Sequence, residues 1–143
     1  MTPVHVVVGV ALIAVNTVAG ALGVWRWRRG ELSRVFWPLL RTGQALVVLE
    51  AIDGGVLLLL GKDLPRLHLI YGLVPLGVAF IAEQLRLTAA QTVLDARGVT
   101  SARELAPADA DAAAFDILLR EMGVMAASAL VVAALGLRAG GVL

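Results

Sequence analysis

The chain has no cysteine among its 143 residues. Disulfides, thiolate metal centres and cysteine nucleophiles are therefore excluded. It holds two histidines and one tyrosine, so chemistry that relies on those side chains has few places to occur. Only 16% of the residues are charged, against about 25% in an ordinary soluble domain. The formal net charge is +1, which gives no electrostatic basis for binding nucleic acid. Phosphate-binding glycine loops, H-E-x-x-H and G-x-S-x-G are all missing. What remains is apolar: 59% of the residues are hydrophobic and the mean hydropathy is +0.88. These values exclude a disordered chain and point to a membrane protein without catalytic activity of its own.

About 20 apolar residues carry a helix across a bilayer core of roughly 30 Å. Pro3 to Trp25 has no charged residue, and the cluster Arg26, Arg28 and Arg29 follows it rather than preceding it. A signal peptide has the opposite polarity, so this segment reads as a retained span. A second span covers about 33–61 and a third about 66–97, where Gly98 reads as the helix stop. A loop over about 98–108 contains Ser101 and Glu104 at capping-box spacing. The fourth span covers about 109–138. The expected fold is all-α: one transmembrane domain, 1–143, forming an up-down-up-down four-helix bundle.

The first and third connections carry Arg26, Arg28, Arg29, Arg34, Arg86, Arg97 and Arg103. The opposite side has Lys62, Arg66 and Arg138. The positive-inside rule then places both termini on the non-cytoplasmic side, with a bacterial cytoplasmic membrane as the expected location. Trp25, Trp27 and Trp37 surround the first inner connection, where an interfacial aromatic belt is expected. Gly20–Ala21–Leu22–Gly23 and Ala126–Ala127–Ser128–Ala129 read as surfaces of close helix packing.

Polar side chains in the spans fall at three expected depths. His5 and His68 each lie about 3 Å inside the outer edge, counting 1.5 Å per residue. They sit on spans one and three, which stand diagonally in a square bundle, roughly 11–14 Å apart. Such a gap suits a haem iron held by one imidazole from each side. Gly9 and Gly72 lie one turn below the histidines, where missing side chains relieve the edge of a flat macrocycle. Tyr71, Arg66 and Lys62 are placed to meet its polar groups, and Asp63 is a further candidate ligand for a small metal ion. The plain alternative is a pair of idle interfacial histidines.

Glu50 and Asp53 share a face of span two at counted depths of about 16 and 12 Å. Charges so deep face the bundle interior by default and carry a role. A proton-bearing site, a polar clamp to Asn16 and a contact with a partner helix are the competing readings. Nearer the cytoplasm, Arg41, Gln44, Glu83, Gln84, Asp116, Arg120 and Glu121 form an expected inner ionic layer that fixes helix order.

In helix plan and paired histidines the chain resembles small membrane b-type cytochromes, although no family motif is present. That likeness implies haem b between His5 and His68, serving electron transfer or haem handling with a redox partner in the bilayer. A rival reading is a small proton-coupled transporter using Glu50 and Asp53, working as a homodimer. It resembles small four-helix multidrug exporters in size, but those place the key glutamate in the first span. A second rival is a non-catalytic subunit packed on a larger membrane complex.

Overall fold

The computed structural model describes residues 3–61 and 65–142. Four long helices form a bundle: α1 Pro3–Arg28, α2 Phe36–Leu59, α3 Arg66–Ala96 and α4 Pro107–Ala139. A single 3₁₀ turn, Ala102–Glu104, precedes α4. All four helices are long and apolar enough to cross a membrane. The boundaries depart from the sequence expectation by at most three residues, at the end of α1 and the start of α2. There Ser33 accepts a hydrogen bond from the Phe36 amide, so residues 33–35 act as a lead-in turn. Ser101 similarly accepts from the Arg103 amide and caps the 3₁₀ turn. Glu104 accepts from the Thr100 hydroxyl, so the expected reciprocal capping box is not formed. Instead α4 opens on Pro107, whose missing N–H costs nothing in a first turn.

The α3 stop is at Gly98, whose φ of +70° lets the Val99 amide turn back to the Leu94 carbonyl. A residue with a Cβ is strained there, and glycine is not.

Helix packing follows the small residues. α1 buries Leu12, Asn16, Ala19, Gly20 and Gly23, one stripe at helical spacing. α4 buries Met122, Met125, Ala126, Ala129, Val132 and Ala133. A Cβ on Gly23 would lie 2.6 Å from both the Ala126 Cβ and the Phe36 ring, and one on Gly20 would meet Leu130 at 2.6 Å. Farther along, Gly136 receives Ile13 and Gly123 receives the Trp27 indole. In lipid no hydrophobic force drives helix association, so such close backbone approach supplies the packing energy.

α1 packs on α2 and α4, and α3 packs on α4 and, less extensively, on α2. The main core gathers Phe36, Leu40, Met122, Met125 and Ala126, all near the Arg-rich end of the bundle. A smaller cluster of Leu12, Val47 and Val132 lies toward the other end. Beyond it, the loosely joined α2 and α3 leave an opening.

Candidate functional site at the histidine end of the bundle

The opening is a cavity of about 370 Å³, within the usual range for small-molecule pockets. Its walls are largely apolar and include six glycines: Gly9, Gly54, Gly55, Gly72, Gly136 and Gly140. A Cβ on Gly54, Gly55 or Gly72 would meet nothing within 4 Å, so these positions widen the space without contacting a neighbouring helix. Tyr71 and Pro75 also line it. Pro75, inside α3, has no N–H for the Tyr71 carbonyl one turn earlier, so α3 is weakened at the cavity wall.

His5, Glu50 and His68 all face this cavity. The two imidazole centroids are 5.7 Å apart, with the rings tilted by 57°. His5 Nδ1 lies 2.9 Å from Glu50 Oε2 and 3.0 Å from Asp53 Oδ2. His68 Nδ1 stands 3.3 Å from the carbonyl oxygen of Ala139, at the end of α4. Each imidazole is therefore oriented through Nδ1, one by carboxylates and the other by a backbone carbonyl. That is the usual outer-shell arrangement around a histidine that coordinates through Nε2.

The acidic side of the centre has its own asymmetry. Nδ1 carries at most one proton, yet two carboxylate oxygens flank it. Asp53 takes the hydrogen-bonding position. Glu50 Oε2 is buried, in ionic contact with His5 but without hydrogen-bond geometry. Ligand atoms of His5, Glu50 and Asp53 lie within 4.8 Å of one another, a spacing compatible with a shared cation.

Several sequence expectations are corrected here. The histidine level and the acidic level are one level: Asp53 and Glu50 touch His5. The expected depths take Pro3 and Gly61 as level, whereas α2 continues about 9 Å past Asp53 to its end at Leu59. Asn16 does not clamp the carboxylates. Its amide donates to the Leu12 carbonyl, and its side chain packs over Gly43. Gly9 makes room for Glu50, because a Cβ there would fall 2.7 Å from Glu50 Oε1. Tyr71 stands beneath the Arg138 guanidinium, 5.9 Å from its ring centre. Arg66 is exposed at the start of α3 and does not line the cavity. Lys62 and Asp63 fall outside the described residues.

At the opposite end, Glu83 is the hub of the ionic layer. It binds Arg41, Gln44 and Arg86, and Arg86 reaches on to Glu121 at 3.4 Å. Arg97 pairs with Asp116 at 2.7 Å. Arg86 and Arg97, read in the sequence only as topogenic charges, are thus members of the layer. Arg120 is not: it is exposed and makes no ion pair among the described residues. Sequence spacing offers one clue to Arg86, its position three residues after Glu83 on one helix face.

Compared with protein-family models, curated proteins and solved structures, the chain matches none. The functional reading therefore rests on the residues themselves.

Proposed function

We propose that the protein is a small b-type cytochrome-like membrane protein, with haem b held by His5 and His68 at the outer end. The supporting observation is the imidazole pair itself: centroids 5.7 Å apart, at an apolar glycine-lined cavity, each ring oriented through Nδ1. Imidazole nitrogens bind a metal ion at about 2 Å, so two rings this close can reach one ion. Bound haem would supply one-electron chemistry. His5 and His68 would hold the iron, Glu50 and Asp53 would fix the His5 ring, and the glycines would admit the macrocycle. The role that follows is electron transfer or haem handling with a membrane redox partner, without catalysis by this chain.

In this reading the helices alternate up and down, the termini face the non-cytoplasmic side, and the Arg-rich end faces the cytoplasm of a bacterial cell. Detergent-purified protein titrated with haemin is the direct test. A Soret band that saturates at one haem per chain, and is lost in His5→Ala and in His68→Ala, is the expected result. Failure to develop that band, or an identical band in both variants, would overturn the proposal.

One observation favours a second reading. Glu50 Oε2 is buried without a hydrogen bond inside the His5–Glu50–Asp53 group, as expected if a divalent transition-metal ion rather than haem occupies the centre. Stoichiometric zinc, iron or manganese by elemental analysis, in protein that does not take up haem, would select it.

A further inference from the structure

A second cavity, about 460 Å³ and more open, lies at the Arg-rich end between α3 and α4 beside the end of α1. Trp27, Leu85, Thr88, Ala89, Thr92, Arg120, Gly123 and Val124 line it. Arg120 and Trp27 contribute donors, while Leu85, Ala89 and Val124 form an apolar wall.

The donors are unused by the protein. The two acids closest to Arg120 along α4 are already committed, Glu121 to Arg86 and Asp116 to Arg97. Neither Arg120 nor the Trp27 indole has a hydrogen-bond acceptor among the described residues. The indole is seated against Gly123, where a Cβ would fall 2.8 Å from Nε1, so its position is set by the missing side chain. Both threonine hydroxyls donate back to their own helix, Thr88 to Leu85 and Thr92 to Thr88. The groove therefore offers a cation and an indole N–H beside aliphatic surface. Among the described residues no acid lines the groove, so Arg120 gives it a net positive charge that favours an anionic ligand.

We propose that this groove binds an anionic phospholipid of the adjoining leaflet, its phosphate on Arg120 and Trp27 and an acyl chain along Leu85, Ala89 and Val124. The charge complementarity selects an anionic headgroup over a zwitterionic one. The inference is independent of what occupies the histidine centre.

Quenching of Trp27 fluorescence by brominated lipids in detergent-solubilised full-length protein tests it. Brominated phosphatidylglycerol should quench at concentrations at least fivefold lower than brominated phosphatidylcholine, and Trp27→Phe should remove most of that quenching. Arg120→Gln should abolish the preference, Arg120→Lys should keep part of it, and Arg28→Gln, with the same loss of charge outside the groove, should leave it intact. Thr88→Phe, which fills the groove from an exposed position, should weaken quenching without changing charge. An unchanged preference in Arg120→Gln would overturn the proposal. So would an equal loss in Arg28→Gln, which means diffuse surface charge, or displacement of the lipid by inorganic phosphate, which means a soluble-ion site.

Discussion

The two ends of the bundle use charge in opposite ways. At the Arg-rich end, acids and bases from α2, α3 and α4 neutralise one another around Glu83, beside a core of closely packed side chains. At the histidine end, two carboxylates converge on one imidazole with no Lys or Arg among their ion-pair partners in the described residues, beside open space. The first arrangement satisfies its charges internally and therefore reads as structural. The second leaves an acceptor in excess and a cavity next to it, which is what a binding site requires.

The largest effect that would break this contrast is at the histidines. His5→Ala or His68→Ala should abolish haem uptake, read as loss of the Soret band, while helix content by circular dichroism stays unchanged. A variant that kept the band would move the site elsewhere. Gly23→Val should act in the reverse sense. Its side chain must displace Ala126 or the Phe36 ring, so thermal unfolding in detergent should show a loss of about 1–3 kcal/mol. The remaining folded fraction should still bind haem.

Glu83→Ala comes next. It leaves Arg41 and Arg86 without their shared acid, but both are partly solvated, so the cost should be about 1 kcal/mol after screening. Haem affinity should not change, and a large change would mean that the two ends are coupled. The smallest effect is expected from Glu50→Gln. With haem bound as proposed, the buried carboxylate next to the His5 ring would favour the more positive, oxidised iron, so the neutral amide should raise the midpoint potential measured by redox titration. Haem content should be retained. An unshifted potential would assign Glu50 a purely packing role.

Much of the fold was legible in the sequence because the bilayer imposes simple rules. Helix length, the Gly98 stop and the small-residue surfaces at Gly20, Gly23, Ala126 and Ala129 all follow from local pattern. The inner layer was partly legible, since Arg41, Glu83 and Glu121 counted to similar depths. Arg120 counted with them, but its side chain projects away from Glu83, a rotation about the helix axis that depth cannot report. Trp27 and Gly123 likewise belong to one groove only because the end of α1 packs against the middle of α4.

The histidine centre departs from the depth expectation for a related reason. Counting along each helix gives position relative to that helix's own end. It says nothing about how far one helix extends past its neighbour. The seating of small residues such as Gly43 against Asn16 and Gly23 against Phe36 sets that offset. The sequence by itself determined that this chain has four span-length helices, two histidines near span ends and an acidic pair deep in the second. Only the tertiary structure decided that His5 meets Glu50 and Asp53 rather than lying a layer above them. Side-chain interlocking between helices sets the axial offset, and no single helix carries that information.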